Sequence, residues 1–195
     1  MQSETLHVPG ARLYYEVRGS GPVLLMMPGG PANGGIFHAI AGDLAADHTV
    51  VTYDPRGLSH STLEGPVDDE RLVEIMADDV HRLFEAVGGD KAYVFASSGG
   101  AVISLDLAVR YPGQILALVA HEPPRFAPAP EGGANLHEIY RTRGVRAAIV
   151  SFMVGAGLGE PPAEALDSME KSPDFDFFFE HYVVGLGTTN PTSPP

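Results

Sequence analysis

The first 120 residues predict an α/β layered fold with a largely parallel sheet, and three observations carry that expectation. Apolar runs of strand length alternate about three times with stretches of helical spacing, the order that layers helices against a mainly parallel sheet. The run at residues 22–27 is continuously apolar, as suits a strand covered on both faces. Gly 23 and Pro 17 in 195 residues exceed average usage, and they punctuate these segments rather than scatter among them.

Taken in order, residues 5–8 and 12–17 read as two strands joined by the turn Pro9-Gly10-Ala11. The buried run 22–27 stops at Pro28-Gly29-Gly30, and residues 36–46 then show helical spacing through Ile36, Phe37, Ile40 and Leu44. Residues 49–53 are β-branched and end at Asp54-Pro55. Asp68, Asp69 and Glu70 supply the acids a helix N-terminus favours. The helix they open repeats Leu72, Met76, Val80, Leu83 and Val87 and stops at Gly88-Gly89. Strand 92–95, helix 101–110 and strand 115–120 follow. Past His121 the rhythm changes: residues 135–152 and 163–180 are helical with no strand signal between them, which predicts a helical excursion over the sheet. Residues 185–195 are Gly, Thr, Ser, Asn and Pro, with a single Leu, and read as a flexible tail. The expected organisation is a core over 1–124, a helical cap over 125–184 and a tail over 185–195.

Composition excludes several function classes. With no Cys, the chain holds no disulfide and no Cys-ligated metal. A net charge of −13 without a basic patch argues against nucleic acid as a partner. The N-terminus lacks a secretory pattern, and the longest early apolar run is too short for a bilayer, so no membrane is expected and a cytoplasmic protein is. His137-Glu138 lacks a second His at zinc spacing, and Gly155-Ala156-Gly157-Leu158-Gly159 matches neither a dinucleotide nor a phosphate loop. No metal and no cofactor are expected.

The chemistry concentrates at Ala96-Ser97-Ser98-Gly99-Gly100, with a strand before it and a helix after it. A sharp strand-to-helix turn exposes its central side chain and demands small residues two before and two after. Centring on Ser98 places Ala96 and Gly100 there, whereas centring on Ser97 places Phe95, which does not fit. Ser98 is therefore the candidate nucleophile, and an ordinary Ser helix cap is the competing interpretation. An acyl-transfer enzyme needs two donors for the developing oxyanion. The N–H groups of Gly30 and Gly99 are the candidates, with a plain tight turn as the alternative at Gly30. Glu122, at the end of the strand 115–120, is either a catalytic acid or a structural Glu before Pro123-Pro124. The aromatic cluster Phe175, Phe177, Phe178 and Phe179 suits core packing or an apolar acyl pocket.

In their order and spacing, Pro28-Gly29-Gly30-Pro31, Asp54-Pro55-Arg56-Gly57, Ala96-Ser97-Ser98-Gly99-Gly100 and His121-Glu122-Pro123-Pro124 resemble the α/β-hydrolase family. The resemblance runs from near the N-terminus to about His181. It implies a mostly parallel sheet with helices on both faces, a structural Asp-x-Arg-Gly turn, and a helical cap after the fourth parallel strand. Pro28 stands where the family usually has His, and Ala96 where Gly is commonest. The family places its acid and its His on loops after later strands, and some relatives place the acid after the strand corresponding to residues 115–120. No returning strand with its His follows the cap helices, so the C-terminal strands of the fold are expected to be missing. His121, His137 and His181 offer themselves only weakly, as does His60.

The resemblance implies a serine hydrolase acting on a small ester, thioester or related carbonyl substrate, with the catalytic His supplied from elsewhere. The alternative is a form without catalytic His that binds a ligand or partner. An uncovered sheet edge at the strand containing Leu118 would also invite pairing with a second copy.

Overall fold

The computed structural model describes residues 1–124 and 135–188. The hairpin β1 (Gln2–Val8) and β2 (Ala11–Arg18) opens the chain, followed by β3 (Val23–Met27), helix α1 (His38–Leu44) and β4 (Thr49–Tyr53). A two-residue strand β5 (Thr62–Leu63), helix α2 (Leu72–Ala86), β6 (Ala92–Ser97), helix α3 (Gly99–Arg110) and β7 (Ile115–His121) complete the core. The sheet order is β1-β2-β4-β3-β6-β7, with β5 beside β2. Strands β4, β3, β6 and β7 run parallel, and the hairpin joins them antiparallel through β2 and β4. The α/β expectation holds, with β7 as the fourth parallel strand in chain order.

Strand β3 shows why its run is continuously apolar. Leu25 and Met27 pack towards α2 and α3, while Met26 packs with Phe37, Ala41 and Val50 on the α1 side. Helix α2 buries Leu72, Met76, Val80 and Leu83, the predicted stripe, and Asp68 caps the 3-10 turn before it by accepting from the Arg71 amide. Helix α1 departs from expectation. It enters through a 3-10 turn at Gly34–Phe37, so the phase shifts and Phe37 and Ala41 are buried while Ile36 and Ile40 face outward. The tighter winding of a 3-10 turn rotates later positions away from a uniform 3.6-residue pattern.

Beyond β7, helices α4 (Leu136–Arg143), α5 (Val145–Gly155), α6 (Ala163–Glu170), α7 (Pro173–Phe177) and α8 (Val183–Thr188) follow, with a π-helical turn at Phe178–Tyr182. Gly144, at φ +84, splits the first predicted helix into α4 and α5. Ser172 caps α7 and Pro173 opens it, which ends the second predicted helix early. The tail expectation needs correction at its start. Residues 185–188 continue α8, because Leu186 is buried and Gly185 lies so close to Leu72 that a Cβ there would meet the Leu72 Cβ at 2.8 Å. Residues 189–195 and the first part of the expected cap, 125–134, lie outside the described residues.

One further tie positions the site. Arg56, in the turn after β4, grips Asp79 of α2 through two bonds, Nε–Oδ2 at 2.7 Å and Nη2–Oδ1 at 2.6 Å, with both groups buried. Burial pushes the Asp79 carboxyl above its usual range, and the Arg56 hydrogen bond and charge oppose that shift.

Candidate active site

Strand β6 delivers the chain to Ser98 at φ +50 and ψ −120, and α3 begins at the next residue. Positive φ is strained for a residue with a Cβ. The Ser98 side chain makes no capping bond to the helix, which separates this turn from an ordinary Ser cap. The turn is held by backbone. The Ser98 amide donates to the His121 carbonyl at the end of β7 at 2.8 Å. The loop after β3 packs directly against it: a Cβ on Gly100 would lie 2.4 Å from the Pro28 carbonyl oxygen, and one on Gly29 would lie 2.4 Å from that of Ser97. Small residues at 29 and 100 are thus a condition of bringing the two loops together.

That approach places Gly30, Ser98 and Gly99 on the wall of one cavity of about 130 Å³. Gly30 sits at φ +60. Gly99 is the first residue of α3, where amides have no intrahelical acceptor. The remaining wall is apolar and comes largely from the cap helices, including Leu136, Phe152, Phe178 and Leu186. Phe152 and Phe178 pack edge-on with centroids 5.1 Å apart. The Phe cluster of the sequence thus divides: Phe178 reaches the cavity, whereas Phe177 packs on Gly57 in the turn after β4.

The turn after β4 braces the loop bearing Gly30. Asp54 accepts from the Gly34 amide at 3.0 Å and from the His60 amide at 3.1 Å, and its Oδ2 meets His60 Nδ1 at 2.8 Å. Asn33 Nδ2 donates to Ser59 Oγ at 2.9 Å. His60 is therefore committed to Asp54 and, with Asp54, Glu16 and His38, lines a separate cavity of about 140 Å³.

Glu122 follows β7 at φ +48 and is exposed. It does not line the Ser98 cavity. The histidines are dispersed. His137 Nδ1 contacts the Phe179 carbonyl at 2.9 Å, and His181 Nδ1 meets Asp69 at 2.8 Å, which ties the π-helical turn to the start of α2. His121 points to the sheet face shared with Phe95, and its Nδ1 lies 3.4 Å from Ser97 Oγ. Among the described residues no histidine lines the Ser98 cavity. The Ser97–His121 contact escaped sequence reasoning, although it follows once β6 and β7 are paired with Ser97 opposite His121. Among the described residues no group of three or more His, Asp or Glu is arranged to hold a metal ion, and no helix is long and apolar enough to cross a membrane.

A family profile described as the alpha/beta hydrolase fold matches residues 22–139. The chain is 50% identical over 119 residues to a Bacillus subtilis (strain 168) protein named "Uncharacterized hydrolase YraK", a match covering 61% of this chain and 44% of that relative. The chain spans less than half the length of the curated relatives it matches. Among solved structures it resembles an alpha/beta hydrolase from Sphaerobacter thermophilus DSM 20745, with TM-score 0.69, 25% identity, and coverage of 98% of this chain and 76% of that one. It also resembles a Pseudomonas aeruginosa protein described as a "putative epoxide hydrolase", with TM-score 0.71, 25% identity, and coverage of 95% and 70%.

Proposed function

The chain belongs to the alpha/beta hydrolase fold family, and we propose that it supplies the nucleophile and oxyanion site of a serine hydrolase acting on a small ester, thioester or related carbonyl substrate. The observation that carries this reading is Ser98, held at φ +50 on the wall of the same cavity as Gly30 and Gly99. Ser98 Oγ attacks the carbonyl carbon while its proton passes to a base. The developing oxyanion accepts from the Gly30 and Gly99 amides. Collapse expels the alcohol or thiol with a proton, and water then hydrolyses the acyl-serine by the reverse sequence. No described histidine lines this cavity, so the reading requires a base supplied from elsewhere, with Glu122 as the candidate for its acid partner. A cavity of about 130 Å³ with an apolar wall favours a short acyl group. A serine at the elbow, where a carboxylate would serve as nucleophile in epoxide opening, argues against that chemistry for this chain.

The second reading is a ligand-binding or interaction protein without turnover. It is favoured by the absence of any histidine from the Ser98 cavity wall among the described residues. A fluorophosphonate probe and a panel of short esters separate the two. The hydrolase reading expects labelling and turnover in the native chain and neither in Ser98→Ala. Folded protein with no labelling and no turnover sinks it.

A further inference from the structure

The turn after β4 reaches both the cap and the loop bearing Gly30 through one strained residue. Ser59 sits at φ +53. A residue with a Cβ in that region costs free energy and persists only where its surroundings hold it. Two side chains hold Ser59. Its amide donates to Asp174 Oδ1 at 2.8 Å, and its Oγ accepts from Asn33 Nδ2 at 2.9 Å. Asp174 belongs to the first turn of α7, and Phe178, the residue after that helix, lines the Ser98 cavity. Phe177, the last residue of α7, packs so closely on Gly57 that a Cβ there would lie 2.5 Å from its Cζ. Asn33 lies in the loop that carries Gly30, where its Oδ1 accepts from the Gly35 amide at 2.9 Å and caps the 3-10 turn. Both Ser59 bonds are exposed, so each alone is modest. Together with the Phe177 contact they fix one arrangement of cap, turn and loop.

We propose that Asn33, Ser59 and Asp174 are positioning residues that couple the cap to the oxyanion site. The placement of α7 beside the acyl pocket passes through Ser59 to the loop that presents the Gly30 amide. This rests on the hydrolase reading of the Ser98 cavity and adds to it a means of selecting substrate. An acyl group that fits the cavity of about 130 Å³ leaves Phe178 and α7 in place, so Asp174 holds Ser59 and Ser59 holds Asn33. A larger group displaces Phe178 and α7, and the Asp174 carboxylate leaves the Ser59 amide. Ser59 then loses one of the two bonds that offset its strain, and the Gly30 loop loses its brace. Misfit is penalised in the chemical step as well as in binding, because an oxyanion donor acts only when aimed at the position the charge will occupy.

Amide hydrogen exchange, resolved by NMR on the 195-residue chain, tests the coupling without turnover. Asp174→Ala should speed exchange of the Gly35 amide by about threefold or more, although Ser59 and Asn33 stand between them. Asp174→Asn keeps an acceptor oxygen and should exchange as the native chain does. Ser59→Ala should also speed Gly35, and in that background Asp174→Ala should add nothing. Amides of β3 are the reference, since a general loss of stability speeds them as well. Should Asp174→Ala fail to fold, Asp174→Leu takes its place. In a second arm, Asp174→Ala should slow fluorophosphonate labelling of Ser98 by about the same factor, and Asp174→Asn should restore it. A Gly35 rate that ignores Asp174→Ala, rises only in step with β3, or adds in the double variant overturns the proposal. So does a labelling rate unchanged where Gly35 exchange has risen. A native chain that does not label overturns the hydrolase reading, and exchange alone then decides the coupling, so the two fail separately.

Discussion

At Ser98 the backbone is strained for the sake of side-chain placement, and strain of this kind is measurable. A non-glycine residue in a sparsely populated region costs of order 1–3 kcal/mol. Ser98→Gly should therefore be more stable than Ser98→Ala by about 1 kcal/mol in urea unfolding, with both unable to react with the fluorophosphonate. Equal midpoints for the two variants would remove strain from the account. Gly100 gives the converse case. Its missing Cβ would sit 2.4 Å from the Pro28 oxygen, so Gly100→Ala should cost about 1–3 kcal/mol and lower probe labelling by displacing the Gly30 loop. Much of this was legible in the sequence, because small residues at 96 and 100 are a local requirement of the turn. The dispersal of the histidines was not. Whether His60 meets Asp54 or His181 meets Asp69 depends on contacts between segments, and nothing local encodes them.

At the scale of elements, the Arg56–Asp79 pair fastens the turn after β4 to α2. Arg56→Met would leave a buried carboxylate without its partner, at a cost of about 3–5 kcal/mol near neutral pH. The pH dependence follows from the direction of the Asp79 shift. Its folded-state pKa lies above its ordinary value, so the folded chain holds the proton more tightly than the unfolded chain. The group's contribution to stability therefore falls as pH rises from the ordinary carboxylate range through the raised value. Without Arg56 the shift grows, and the deficit of Arg56→Met should shrink as pH is lowered towards about 4. Urea midpoints of both proteins at neutral and acid pH test this; a deficit independent of pH excludes the mechanism. Among the cap helices, Phe152 narrows the Ser98 cavity. In the ester panel, Phe152→Ala should move the preference towards longer acyl chains, and an unchanged preference would remove Phe152 from the acyl pocket. Strands and long helices were readable here because their apolar periods are local. The 3-10 entry to α1 and the continuation of α8 through residues 185–188 were not, since both are settled by packing against neighbours.

For the molecule as a whole, the order of strands and helices was legible to β7, because continuous apolar runs mark parallel strands and glycines mark their ends. Among the described residues the strand containing Leu118 is the last in the sheet order. Only the structure shows that β1 is polar and mostly exposed whereas β7 carries no charged residue before His121. The hydrogen bond from the Ser98 amide to the His121 carbonyl then acquires a mechanical meaning. The last residue of β7 holds the turn that aims the serine. Fraying of β7 would let the serine swing, and clamping β7 would still it. Reactivity at Ser98 thus becomes a gauge of tension in the sheet, read at one atom.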